Sequence, residues 1–76
     1  MKKEILLQRL SLIIKEKRIE MGLSQEKFAF KIVIDRKYSS MIEKGNVNVS
    51  ILILNKVCKG LNIPLSEFLK EVENIN

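Results

Sequence analysis

The sequence has 76 residues, of which 46% are hydrophobic, and it carries a formal net charge of +5. This length allows one domain and no second core, and the hydrophobic fraction is too high for a disordered chain. Histidine is absent and Cys58 is the single cysteine, which excludes an internal disulfide and leaves almost no soft ligand set for a metal. No apolar run approaches the roughly 18 residues of a membrane span, and we see no signal peptide.

Two roles are possible for Cys58. A lone cysteine in a chain without disulfides is typical of a small buried apolar residue in a reducing compartment, and a reactive thiol is the alternative. We therefore expect a cytoplasmic protein, with no cofactor and no metal.

The positive charge is confined to the first half of the chain. Residues 1–38 hold ten Lys or Arg and five Asp or Glu, whereas residues 39–76 hold four of each kind. A basic half favours a polyanionic partner, either nucleic acid or an anionic membrane surface. We expect no membrane partner, because the first helix ends in a cap and continues into a packed motif. The alternative is an ordinary surface that happens to be basic.

The spacing of apolar residues is helical throughout, and no segment alternates as a strand does. It predicts a first helix over about residues 4–21, which Gly22 ends in the left-handed conformation. Ser24 is the predicted N-cap of a second helix. The apolar stripe of that helix includes Phe28 at its start and Val33 at its end.

Three more helices follow in the same way. Asp35 caps the third, and Ser50 caps a fourth that runs to about Gly60. Asn62 suits a left-handed position after it, and Pro64 opens a fifth helix. The predicted fold class is all-α, a five-helix bundle forming a single domain over residues 1–76.

The third helix carries long polar side chains on the face that its apolar residues do not use. These are Arg36, Lys37, Ser40 and Met41. A short helix backed by a core and tipped with basic donors fits the major groove of DNA. The second and third helices, joined by a tight turn, therefore predict a helix-turn-helix motif.

Over about residues 10–69 the chain resembles the phage-repressor-like helix-turn-helix family, also called the Cro or XRE type. The resemblance rests on Gly22-Leu23-Ser24-Gln25-Glu26 before Phe28-Ala29, and on Ile42-Glu43-Lys44-Gly45 after Asp35-Arg36. The short length and the run Asp35-Arg36-Lys37-Tyr38 are most similar to the controller proteins of restriction-modification systems. Two positions depart from the family: Val33 replaces a usual Gly or Asn in the turn, and Ser39 replaces an Ile or Val.

The resemblance implies a role for three residues at the ends of the motif helices. Gln25 would contact a phosphate and buttress the recognition helix, beside amides that offer the same anion site; the alternative is a capped, solvated glutamine. Arg36 can pair bidentately with guanine, and Lys37 can reach the same edge or a phosphate. A solvated basic face is the alternative for both.

The remaining candidate contacts are more ambiguous. Ser40 and Met41 lie one turn further along, where Met41 would touch a thymine methyl or belong to the core. Tyr38 is a core aromatic whose hydroxyl either reaches a phosphate or does not. Asn46 and Asn48 suit the phosphate backbone, with plain loop residues as the alternative.

The family also pairs Arg18 with Glu43 in a semi-buried salt bridge that holds the first helix to the end of the third. Two exposed surface charges are the alternative. Removing one partner of a buried pair typically costs about 3–5 kcal/mol.

The fourth helix starts with four consecutive apolar residues, more than one helix face can bury. The surplus predicts a dimer contact that includes the fifth helix, and the alternative is unusual core use. The predicted interface residues are Ile51, Leu52, Ile53, Leu65, Leu69 and Val72, with Ile75 as a further candidate.

These features predict a homodimeric, sequence-specific transcriptional regulator that binds double-stranded DNA at a pseudo-palindromic operator. No small-molecule ligand is evident. The alternative is a protein-interaction module on the same fold, such as an antitoxin or a bridging factor. No His, Gly-rich phosphate loop or nucleophile–base pair is visible, so we do not expect an enzyme.

Overall fold

Five α-helices joined by short turns make up residues 2–74, the part of the chain that the computed structural model describes. Their bounds are Lys3–Glu20 for α1, Gln25–Lys31 for α2, Arg36–Glu43 for α3, Ile51–Gly60 for α4 and Leu65–Asn74 for α5. No strand occurs within that range. The predicted fold class is confirmed. No helix among these residues is long and apolar enough to cross a membrane.

Side-chain caps fix where three of the helices begin. Ser24, Asp35 and Ser50 precede α2, α3 and α4, and each accepts from a backbone N–H two or three residues on, at 3.1–3.3 Å. These bonds satisfy N–H groups that the helix itself leaves without partners. The three predicted caps are therefore confirmed.

A residue with a left-handed backbone conformation follows each of the helices α1 to α4. Gly22 has φ +73°, Gly45 +72°, Asn62 +59° and Val33 +56°. Two hydrogen bonds close the turn from α2 to α3. Val33 N donates to Phe30 O at 3.2 Å, and Ile34 N donates to Ala29 O at 3.0 Å. This pair of bonds requires positive φ at the residue after the C-cap.

Val33 itself is 78% exposed. Its predicted place in the apolar stripe of α2 is wrong, because the left-handed turn directs the side chain into solvent.

Every helix contributes to one core. Its buried members are Leu10, Ile13, Ile14, Phe28, Ile32, Ile42, Leu54, Val57, Cys58, Leu61, Phe68 and Val72. Phe68 and Val72, four residues apart on one face of α5, are at most 1% exposed. Val72 therefore belongs to the core of its own subunit, and its prediction as a dimer contact is corrected. Ile75 lies outside the described residues.

Cys58 is 1% exposed. Desolvation by burial raises the pKa of its thiol from an ordinary value of 9.0 to about 11. The thiol is therefore protonated and unreactive at neutral pH. The reading as a small buried apolar residue is confirmed.

The C-terminal ends of α2 and α4 meet closely. Lys31 Nζ donates to Gly60 O at 2.9 Å. A Cβ at position 60 would overlap Cγ2 of Ile32 and lie 3.2 Å from Cε1 of Phe28. Only a glycine lets the two helices approach this far.

Candidate nucleic-acid interface

α3 separates its apolar and polar residues onto two faces. Ser39, Ile42 and Glu43 are buried against the bundle, and Arg36 and Lys37 are exposed at the start of the helix. Ser39, which departs from the family pattern, is only 4% exposed, so the small side chain fits beneath the helix. The outward face of α3 is left to basic and polar side chains.

An open depression between α2 and α3 collects most of the predicted contact residues. It is lined by Gln25, Asp35, Arg36, Lys37, Ser40, Met41 and Lys44. Met41 is 36% exposed and belongs to this surface rather than to the core. The depression is therefore bordered by three cations, and its one carboxylate, on Asp35, is engaged in capping α3.

Lys44 lines the depression but is not among the contact residues predicted from the sequence. It follows Lys37 by seven residues and Ser40 by four, which places all three on one side of a helix. That spacing is a sufficient signal to predict Lys44 as a further contact residue.

Three predicted contacts are not among the residues that line this depression. Tyr38 is half-buried and packs against the core. Asn46 is exposed in the loop after α3. Asn48 is also exposed, but it borders a different depression together with Lys3 and Leu6 of α1. Of the two asparagines, Asn48 has the weaker connection to the α2–α3 surface.

A buried ion pair lies directly behind the depression. Arg18 Nε is 2.7 Å from Glu43 Oε2 and its Nη2 is 3.0 Å from Oε1, while Nη1 donates to Leu23 O at 2.7 Å. The two side chains are 9% and 2% exposed. The pair that the resemblance implied is present, and it is bidentate, the strong geometry for a guanidinium and a carboxylate.

Gln25 joins this network from the side of the depression. Its Nε2 donates to Glu43 Oε1 at 3.2 Å, a contact that the sequence did not predict. Gln25 is thus held by the same carboxylate that Arg18 neutralises, and its side chain ties the start of α2 to the end of α3. Gln25 is half-buried, and the phosphate contact that the resemblance implies stays a prediction.

The start of α4 presents a separate apolar surface. Ile51 is 58% and Leu52 is 77% exposed, whereas Ile53 is half-buried against the core and Leu54 is buried. Leu65 and Leu69 of α5 are half-buried. The surplus of apolar residues at the start of α4 is therefore exposed in the single chain.

Within residues 2–74, no group of three or more His, Cys, Asp and Glu side chains could hold a metal ion.

A family model described as helix-turn-helix matches residues 14–68. The chain belongs to this helix-turn-helix family, of the Cro/XRE type, and the resemblance seen in the sequence is confirmed. The control protein C.MunI of Mycoplasma sp is 51% identical over 51 residues, 67% of this chain and 69% of that protein.

Solved structures of a second control protein have the same fold as this chain. The wild-type restriction-modification controller protein C.Esp1396I superposes with a TM-score of 0.81 at 37% identity, over 90% of this chain and 87% of that one. The C.Esp1396I tetramer in complex with its natural 35 base-pair operator superposes with a TM-score of 0.77 at 36% identity, over 91% and 96%.

Proposed function

We propose that the chain is a sequence-specific transcriptional regulator that binds double-stranded DNA as a homodimer, and that it serves as the control protein of a restriction-modification system. The observation that carries the proposal is the α2–α3 depression, where Gln25, three basic side chains and Met41 converge on one outward face. The similarity to control proteins, one of them solved on its operator, supports the same function.

In the proposed complex α3 lies in the major groove. Arg36 directly follows the Asp35 cap and pairs with O6 and N7 of a guanine, the commonest specific contact in that groove. Ser40 and Met41 lie one turn further along, where a hydroxyl accepts or donates at a base edge and a thioether meets a thymine methyl. Base contacts of this kind carry the sequence specificity.

Phosphate contacts frame these base contacts. Lys37 and Lys44 stand at opposite ends of the outward face of α3 and reach the two backbones of the groove. Gln25, the first residue of α2, and Asn46 in the loop after α3 add neutral donors. Contacts of this kind fix position and orientation, and they make affinity fall steeply with salt.

Exposed Ile51 and Leu52 supply the dimer contact in this proposal, with Ile53, Leu65 and Leu69 at its edge. A two-fold dimer places its two α3 helices about 34–36 Å apart, one turn of DNA, and so reads a pseudo-palindrome. The controller C.Esp1396I binds a 35 base-pair operator as a tetramer. We infer the same arrangement here, with two dimers side by side on one operator.

Two further statements belong to the proposal. The chain acts by binding and not by catalysis, because its outward-facing polar groups suit DNA recognition. It works in the cytoplasm, where the DNA of a bacterial cell lies.

The proposal is tested by measuring the affinity of Arg36→Ala for two duplexes with fluorescence anisotropy. One duplex is selected by the wild-type chain from a random-sequence library, and the other is random. Loss of the guanine contact should weaken binding to the selected duplex by about 1–3 kcal/mol, roughly 5- to 150-fold, and random DNA much less.

Lys59→Ala is the matched control, since it removes one exposed positive charge from α4 outside the depression. It should weaken both duplexes slightly and equally. Equal losses in Arg36→Ala would show that this residue contacts a phosphate. A wild-type chain that selects no duplex from the library would favour the protein-interaction module.

A further inference from the structure

Two exposed lysines stand at the start of α1, where they do not stabilise the helix. Lys2 is the N-cap residue and makes no side-chain capping bond, and Lys3 is the first helical residue. The N-terminal end of a helix carries a partial positive charge, so a cation placed there is unfavourable. The helices α2, α3 and α4 begin instead with the side-chain caps Ser24, Asp35 and Ser50. The two lysines therefore need an explanation other than helix stability.

Their charge is not offset by a carboxylate of the chain. Among residues 2–74, neither Lys2 nor Lys3 takes part in an ion pair. Residues three and four positions apart meet on a helix, and after Lys3 these positions hold Leu6 and Leu7. Glu4 is adjacent in sequence and does not share a face with Lys3. Both ammonium groups are therefore available to an external anion.

Lys3 lies close to the loop that follows α3. It lines a depression together with Leu7 and Asn48, and every other side chain around that depression is apolar. Leu7 marks the place where α1 meets the end of α3, because a Cβ on Gly45 would lie 3.5 Å from Leu7 O. Lys3 precedes Leu7 by four residues, so it lies one helical turn beyond this contact, about 5–6 Å along α1.

The loop after α3 connects Lys3 to the surface that we propose for DNA. Lys44 lines the α2–α3 depression, Asn46 is exposed in the loop, and Asn48 borders the depression that contains Lys3. These exposed polar residues follow one another at every second position. In the proposed complex they continue the line of phosphate contacts from the recognition helix to the start of α1.

The start of α4 fixes which part of the operator lies below the two lysines. Ile51 and Leu52, the proposed dimer contact, begin this helix. Only three residues separate Asn48 from Ile51, a span of at most about 10 Å. Lys3 and Asn48 therefore lie on the side of each subunit that faces the two-fold axis. The DNA below that axis is the spacer between the two half-sites.

We propose that Lys2, Lys3 and Asn48 form a second phosphate-binding site in each subunit, which holds the DNA backbone at the centre of the operator. The inference rests on the proposed function, since it requires α3 in the major groove and a dimer joined through α4. Contacts of this kind read no bases; they add affinity and fix the orientation of the subunit on the duplex. They also give Asn48, which is not part of the α2–α3 depression, a function.

The first test measures how the affinity for the selected duplex depends on salt. Lys2→Ala/Lys3→Ala removes four lysines from a dimer, and each lost phosphate contact lowers the slope of log K against log salt by about 0.9. The slope should fall by about 2–4, and the affinity at about 0.1 M salt should fall at least about tenfold. Lys56→Ala/Lys59→Ala is the matched control. It removes the same charge from exposed positions that line a separate depression, and its slope should change by less than about 1.

The second test locates the contact on the DNA. Uncharged methylphosphonate linkages at the centre of the selected palindrome should weaken binding of the wild type and cause no further loss in Lys2→Ala/Lys3→Ala. The same linkages under the outer half of each site should weaken both proteins equally. This comparison is a double-mutant cycle between protein and DNA, and it separates a local contact from the effect of net charge.

The fold of the variant is checked by its melting temperature. Removing two cations from the N-terminal end of α1 should leave Tm at or above that of the wild type. Lys2→Arg/Lys3→Arg keeps both charges and should bind as the wild type does.

A double alanine variant with the affinity and salt slope of the wild type overturns the inference and leaves the proposed function standing. A loss no larger than that of the Lys56→Ala/Lys59→Ala control does the same, because it would reflect net charge alone. Central methylphosphonates that weaken the variant as much as the wild type also overturn it. A wild type that selects no duplex from the library rejects the proposed function, and the inference with it.

Discussion

Val33 combines a strained backbone with a side chain that packs against little of its own subunit. It is 78% exposed at φ +56°. Val33→Gly should therefore raise the free energy of unfolding, because relief of strain is worth about 1–3 kcal/mol and the entropy added to the unfolded chain offsets only about 0.4–1 kcal/mol. In a domain of this size each kcal/mol raises Tm by roughly 4–8 °C.

Asn62→Gly is the control for this measurement by thermal circular dichroism. Asn62 has φ +59°, but asparagine tolerates the left-handed region far better than valine. Its Tm should change little. A lower Tm in Val33→Gly would show that the valine side chain stabilises the fold despite its exposure.

The pair formed by Arg18 and Glu43 is the second feature at this scale. Glu43→Gln keeps the shape but leaves a buried guanidinium without its counter-charge, which should lower the free energy of unfolding by about 3–5 kcal/mol. Glu71→Gln breaks the exposed pair in which Lys17 Nζ lies 3.1 Å from Glu71 Oε2. The side chains of Lys17 and Glu71 are 25% and 48% exposed. Urea denaturation should show a loss below about 1 kcal/mol there, and similar losses in the two variants would contradict the burial argument.

Residue roles were predictable only in part. The motif around Glu43 led to its ion pair with Arg18, since one family resemblance covered both positions. The bond from Gln25 to Glu43 could not be read from sequence, because it depends on the angle between α2 and α3. Val72 was misassigned for a similar reason: periodicity places it on a face of α5 but does not say which face the core takes.

The helices themselves were almost fully determined by local signals. Ser24, Asp35 and Ser50 are caps whose chemistry acts within three residues, so their positions followed directly from the sequence. The close approach of α2 and α4 at Gly60 involves residues 28 positions apart and left no local signal. A terminal glycine in α4 could equally have been a simple stop.

Gly60 supplies the prediction at the scale of elements. Alanine is ordinarily better than glycine in a helix by about 1 kcal/mol, but here its Cβ would overlap Cγ2 of Ile32. Gly60→Ala should instead lower the free energy of unfolding by about 1–3 kcal/mol, a typical result of overpacking. Urea denaturation measures the change.

The added substitution Ile32→Ala tests the cause, since it removes the atom in conflict. In the Gly60→Ala background it should cost less than it does alone. Additive losses would mean that α4 moves away from α2 without strain.

Residues 2–74 share one small core, and the apolar surface at the start of α4 should make the protein a dimer at micromolar concentration. Leu52 is 77% exposed and should be buried between subunits. Leu52→Glu should convert the dimer to a monomer in sedimentation equilibrium, because two carboxylates would face each other across an apolar contact.

DNA binding distinguishes this effect from unfolding. Leu52→Glu should keep the helical circular dichroism of the wild type and lose most of its affinity for the palindromic site, since only one α3 remains per particle. Ile19→Glu, on the exposed face of α1, should stay dimeric. A wild-type particle of 8.8 kDa at tens of micromolar would contradict the dimer. That concentration lies above the roughly micromolar Kd of an ordinary protein association.

The bond between Gln25 and Glu43 has a thermodynamic consequence for the encounter with DNA. Immobilising a long side chain at an interface ordinarily costs about 0.5–1.5 kcal/mol of entropy at the moment of binding. Here the 3.2 Å contact already holds Gln25 in the free protein and joins the start of α2 to the end of α3. In the complex that we propose, the subunit should therefore meet the groove as a rigid body. The heat-capacity change of association should then match the apolar area buried at the interface, with no added contribution from coupled folding.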